Sequence, residues 1–233
     1  MAIIVPTQRI ITFQRFFGLV SITSGTQSEG NYTLSASHRR TGVKMGVKNY
    51  MKGSNTMDLK PIDFSELVIN PQDLIDRQAL VLTSGDFATH AFNAMTISWG
   101  LIGVLWNKPC FMVAVRPTRY TYTFMESSPD FTVCAFPSAY ARDVAYLGSH
   151  SGRDEDKIAK THLTPIASTQ VHAPCYAEAE LVLECRKIYW SDLDPKHFLD
   201  ASIENNYPRK DYHRLYLGEI VALRAAERFI QNK

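Results

Sequence analysis

Between Phe92 and Phe131 the chain carries two apolar runs whose ends are sharply punctuated. Asn93–Trp99 reads as a strand, and by period two Thr96 and Ser98 share one of its faces. Cys110–Pro117 reads as a second strand, rich in valine and aromatic residues. Pro117 stops it, because proline has no N–H to give to a ladder. A Trp-Asn-Lys-Pro turn separates the two runs. Two apolar strands therefore deliver hydroxyls, aromatics and the arginines Arg116 and Arg119 to their ends.

The neighbouring segments extend this pattern. Ala79–Asp86, Phe131–Pro137, Ala177–Trp190 and Tyr212–Ala226 alternate or concentrate apolar residues as strands do. Thr121–Ser128 predicts a short helix ahead of Pro129. A helix is predicted from Ser138, a candidate N-cap, to Gly148. A further helix is predicted over 153–163, with acids early and lysine late to suit the dipole. Many antiparallel-type strands with short helices between them predict a β-barrel decorated by helices.

Charge divides the 233 residues unevenly. Residues 1–56 hold seven basic groups and one acid, leaving eighteen basic against twenty-two acidic groups in 57–233. The first 56 residues are rich in Ser, Thr, Gly, Asn and Lys, with no sustained period. They read as a basic disordered tail, a targeting peptide, or a translation start set upstream of the true one at Met57. The functional domain is placed at 57–233. That mildly acidic body shows no basic stripe for nucleic acid. No apolar run reaches membrane-spanning length. Cys110, Cys134, Cys175 and Cys185 lie in or beside apolar runs and lack metal or redox spacing, so reduced core cysteines and a cytoplasmic chain are expected.

The motifs for familiar chemistries are missing. There is no Gly-x-Gly-x-x-Gly, no Walker loop, no nucleophile elbow and no paired histidines for a metal. What remains suits an anion beside a flat ring. Arginine pairs bidentately with phosphate oxygens, and Trp99, Trp106, Tyr120 and Tyr122 offer planar surfaces. The plainer alternative leaves Thr96 and Ser98 facing solvent and pairs Arg119 with Glu126. Gly148–Lys157 is either a cationic loop over an anionic ligand or a capped turn between helices. Asp211–Arg214 is a polar strand mouth.

Taken together, "FNAMTISWG", "GVLWNKPCFMVAVRPTRYTYTFME", "FTVCAFP", "LGSHSGRDEDK", "AELVLECRKIY", "DPKHFLD" and "YPRKDYHRLYLGEI" resemble the flavin reductase-like proteins, in their flavoredoxin branch. The pieces come in the family's order and span about Leu80 to Ile220. The resemblance implies a split β-barrel that binds FMN, with NADH or NADPH as a possible co-substrate. It also implies a homodimer, with a redox protein as a possible second partner. It places Thr96 and Ser98 near the cofactor, and Asn93, Ala94 and Met95 against the ring through backbone groups. Trp99 would cover the isoalloxazine or close the pocket wall. Arg116, Arg119 and Tyr120 would serve the phosphate. Ser149, Ser151, Gly152, Arg153 and Lys157 would form a loop beside the flavin or a neighbouring subunit. FMN-centred hydride chemistry asks for no protein nucleophile, so no catalytic residue is named.

Overall fold

The computed structural model describes residues 56–231. The readings made for residues 1–56 fall outside this range, save at Thr56. In chain order the strands are β1 (Lys60–Pro61), β2 (Leu80–Asp86), β3 (Ala91–Ile97), β4 (Gly100–Leu105) and β5 (Lys108–Val115), then β6 (Asp130–Ala135), β7 (Pro165–Ile166), β8 (Cys175–Tyr176), β9 (Leu181–Asp192) and β10 (Arg214–Ala225). Two α-helices interrupt them, α1 (Tyr120–Ser127) and α2 (Ala141–Ser149). The fold is mainly β with short helices.

The main sheet is antiparallel, in the order β3-β2-β6-β9-β10-β5-β4, with β1 added to β10. Its two edges, β3 and β4, are consecutive in sequence and joined only by Ser98 and Trp99. Laid flat, seven strands at about 4.8 Å spacing would hold those edges roughly 29 Å apart. Three Cα steps from Ile97 to Gly100 reach at most about 11 Å. The sheet must therefore roll until its edges nearly meet without pairing, which is a split barrel.

Alternation along the strands fills both sides of this wall. Leu80, Leu82, Phe131, Val133 and Leu183 enter the central cluster with Phe111, Val113 and Tyr216. Val81, Ala94, Cys134 and Val182 point the other way, under Val144 and Leu147 of α2. Coverage on both faces explains why β2 and β6 are buried almost from end to end. All four cysteines are free and buried. No described helix is long and apolar enough to cross a membrane.

One strand was not foreseen from sequence, and two expectations need correction. Gly100–Leu105 forms its own strand, turned into β5 by Trp106 and Asn107 at φ of 53° and 58°. Positive φ at both central residues gives the twist that a two-residue hairpin needs. Gly148 does not end α2 but lies within it, where an added Cβ would press on Thr96; nor is Ser138 its cap, since a 3-10 turn at Ser138–Tyr140 precedes the helix. The helix predicted over 153–163 is reduced to one 3-10 turn, Ile158–Lys160. There Lys157 turns inward to donate to the carbonyls of Leu147 at 2.7 Å and His150 at 2.9 Å, and this tertiary contact overrides helix propensity.

Gly218 marks a tight point of the wall. The β9–β10 register shifts there, and an added Cβ would lie 2.6 Å from Phe131 Cζ and 2.8 Å from Cys185 Cβ. Gly218→Ala is expected to destabilise the protein by about 1–3 kcal/mol through overpacking. The measurement is a urea midpoint at unchanged slope, and a shift below about 0.5 kcal/mol would show that the ring of Phe131 yields freely.

Candidate functional site

Register brings the chemistry to one rim. Gly100 lies opposite Val113, and Arg214 opposite Val115. The start of β4, the end of β5 and the start of β10 therefore share one end of the barrel. Ser98 and Trp99, Arg116 and His213 emerge there together. The chain leaves β5 through Arg116–Arg119 and enters α1 at once. The hydroxyl of Thr96 donates to the carbonyl of Val144, which fastens α2 across β3 and carries Ser149–Arg153 to the same rim.

Two adjoining cavities open at this rim, both lined by Met95 and Arg119. The first, about 180 Å³, lies between Thr118–Thr121 and the Gly148–Arg153 loop, with Asn93 and Lys157 also in its walls. The second, about 210 Å³, is lined by Thr96–Trp99, Ala114, Arg116 and His213. Neither lining contains a carboxylate.

The first cavity is rich in donors without acceptors. Among the described residues the guanidinium of Arg119 has no hydrogen-bonding or ion-pair partner; Glu126, its expected partner under the plainer reading, bonds instead to Arg214 and Tyr216. Arg119 is also the N-cap of α1 and offers no side-chain cap; Tyr122 N donates to its carbonyl at 3.0 Å, and the N–H groups of Tyr120 and Thr121, both lining the cavity, meet no acceptor among the described residues. The backbone N–H groups of Ser151 and Gly152 likewise meet no acceptor among the described residues. Lys157 is only 4% exposed and forms the floor. Burial, and then the charge of Arg119, pull its pKa down to about 8. Asn93 Nδ2 donates to Thr121 Oγ1 at 2.8 Å, and Gly152 sits so close that any Cβ would collide with the Asn93 amide oxygen. This packing, not φ, requires glycine there.

The second cavity differs in kind. Trp99 is 43% exposed, and its ring lies 5.0 Å from that of His213. His213 shares a 2.8 Å hydrogen bond with Tyr207. Burial, then the charge of Arg116, lowers its pKa to about 4, so the imidazole is neutral at neutral pH. Arg116 is fully engaged: it donates to Asp211 Oδ1 and the Asn206 carbonyl, each at 2.8 Å, and lies 5.0 Å from the Tyr207 ring centre. The two arginines of the Arg-Pro-Thr-Arg-Tyr motif therefore have different duties.

Of the residues singled out from sequence, Asn93, Met95, Thr96, Ser98, Trp99, Arg116, Arg119, Tyr120, Ser149, Ser151, Gly152, Arg153 and Lys157 all line one cavity or both. Ala94 lines neither; its side chain belongs to the cluster beneath α2. Sequence reasoning passed over Thr118, Thr121, Leu147, His150 and Ala114, and gave His213 no role in the site. Its signal was present: His213 sits just ahead of β10, whose register with β5 leads to the rim. Electrostatically the arrangement can hold a phosphate in the first cavity while a flat, largely apolar body occupies the second.

Known proteins share this architecture. The sequence profile of the flavin reductase like domain matches residues 74–231. The chain belongs to this flavin reductase-like family. A protein of Archaeoglobus fulgidus is 26% identical over 141 residues, which is 60% of this chain and 70% of that one. Flavoredoxin of Desulfovibrio vulgaris superposes with a TM-score of 0.51 at 23% identity, over 66% of this chain and 75% of its own. An FMN-binding domain of flavin reductases-like enzyme from Shewanella baltica gives 0.52 at 17% identity, over 72% and 77%. An NADH:FAD oxidoreductase of Streptomyces globisporus gives 0.51 at 16% identity, over 65% and 77%. These likenesses establish the flavin reductase-like split-barrel fold.

The buried ammonium of this flavin reductase-like chain yields a test. The pKa of Lys157 falls from 10.5 to about 8 on folding. Between those values the unfolded chain binds more protons than the folded one, so stability gains from this group as pH rises. Lys157→Met removes that gain. Relative to the variant, the wild-type unfolding free energy should climb from pH 8 to 10; parallel curves would show that Lys157 titrates normally.

Proposed function

We propose that this chain is an FMN-binding oxidoreductase that takes hydride from NADH or NADPH and passes electrons to free flavin, a metal chelate or a protein acceptor. The observation that carries the reading is the unpartnered guanidinium of Arg119, set between a carboxylate-free, donor-rich cavity and an aromatic-walled one. The donor set fits FMN. Arg119, Lys157, the hydroxyls of Ser149 and Ser151, the free N–H groups of the loop and the start of α1 suit its phosphate. Met95, Ala114 and Trp99 suit its ring, and the unpaired edge of β3 offers backbone groups to ring heteroatoms. Bound FMN would supply the hydride and electron chemistry, so the chain's task is to bind, orient and shield.

A flavoredoxin-like electron carrier without nicotinamide chemistry is the second reading. The exposure of Trp99 at the mouth of the second cavity favours it, because a protein donor could then approach closely. In either case a homodimer is proposed. Leu101, Val104, Leu105 and Trp106 leave an apolar hairpin in the open, beside the exposed Tyr189 and Trp190. Trp106 also holds a left-handed conformation unusual for a bulky side chain. Four free, buried cysteines suit a reducing cytoplasm.

Arg119→Ala should weaken FMN binding by about 1.5–3 kcal/mol, as loss of a charge-assisted hydrogen bond does, and leave riboflavin binding unchanged. Arg116→Ala should weaken both flavins alike, because it frees the Asn206–Asp211 wall rather than a phosphate ligand. Titration by flavin fluorescence separates the two; equal losses of FMN and riboflavin in Arg119→Ala would sink the phosphate assignment. Anaerobic NADH or NADPH added to the FMN-loaded protein should bleach the flavin within seconds. A flavin that stays yellow with both donors moves the electron-carrier reading ahead.

A further inference from the structure

The side chain of Arg153 has a place that phosphate binding alone does not explain. It leaves the loop after α2, crosses to the start of α1, and donates from Nη1 to the carbonyl of Thr118 at 3.2 Å. Its guanidinium lies 5.0 Å from the Tyr120 ring centre. That ring is held edge-on by Phe124 at 5.1 Å. The near end is fixed too: Arg153 N donates to Ser151 Oγ at 3.2 Å, and Gly152 is wedged against Asn93 and Tyr120. Thr118–Tyr120 and Ser149–Gly152 are opposite walls of the first cavity. Lys157 is its buried floor, whereas Arg153 is exposed. The side chain therefore spans the cavity on its solvent side, tied at both ends and, among the described residues, paired with no carboxylate.

We propose that Arg153 is a strap closing the phosphate end of the site, so that the site takes a flavin ending in a phosphomonoester and rejects one extended into a dinucleotide. The inference rests on the flavin reading above. Two further considerations support it. With Thr118–Tyr120 and Ser149–Gly152 as opposite walls, an adenosine would have to leave through the strapped side. A phosphomonoester also carries nearly two negative charges at neutral pH. An inner phosphate of a dinucleotide carries one, which is a poorer match for Arg119, Arg153 and Lys157 with no carboxylate among them.

The test is the dissociation constant of FMN, FAD and riboflavin, by fluorescence titration of the full chain, for wild type, Arg153→Ala and Arg153→Lys. Arg153 is exposed, so the variants should fold, and near-UV circular dichroism checks this. The wild type should prefer FMN to FAD by at least thirtyfold. Arg153→Ala should reduce that preference at least tenfold, mainly through tighter FAD binding. Arg153→Lys should fall between, because an ammonium reaches the carbonyl but has no planar face for the ring. Equal affinity of the wild type for FMN and FAD, or a preference unchanged in Arg153→Ala, would overturn the strap while leaving the flavin site intact. Binding of none of the three flavins would overturn the flavin reading, and the strap with it.

Discussion

Two residues, Ser98 and Trp99, join the two edges of one sheet, and the rest of the molecule follows from that short tether. A sheet of this width can satisfy it only by rolling. Because β3 and β4 do not pair, the roll stays open along one seam. The tether itself lies at the rim, so the residues that close the barrel also line the second cavity. Antiparallel register then brings the end of β5 and the start of β10 to the same place. Fold closure and site assembly are one event.

Charge accounts for the character of the site. Cations in a folded protein usually find carboxylates, and this chain follows the rule elsewhere at the rim: Arg116 takes Asp211, and Arg214 takes Asp192 and Glu126. Among the described residues Arg119, Arg153 and Lys157 are the exceptions. Lys157 is satisfied by carbonyl oxygens but not neutralised. Burial lowers the pKa of Lys157 and of His213, and the charge of Arg119 adds to it at the first and that of Arg116 at the second. A positive pocket of this kind is destabilising in isolation, and an anionic ligand relieves it. Under the proposed function that cost falls at the site itself, where local rules are most often broken.

Much of this was legible in the linear chain. Pro117 ending a strand, Thr96 spaced two from Ser98, and the apolar alternation of β9 and β10 are local signals that any strand would show. The Gly148–Lys157 loop also announced itself, through small residues and mixed charge. The helix expected over 153–163 failed for a reason no local rule contains. The ammonium of Lys157 is worth more capping the end of α2 than lying on a solvated helix face. The side chain of Ala94 points beneath α2, while its neighbours along the strand reach the cavities.

By itself, then, the sequence determined most of the long strands, their punctuation and the family, because side-chain period, turn chemistry and motif order are properties of neighbouring residues. Only the tertiary structure decided the division of labour within the site. Arg116 and Arg119 are three residues apart and equivalent on paper. One is neutralised by Asp211, 95 residues further along the chain, and the other is left bare between two cavities. Whether a charge is free depends on what lies across space from it, and a linear reading holds no record of that.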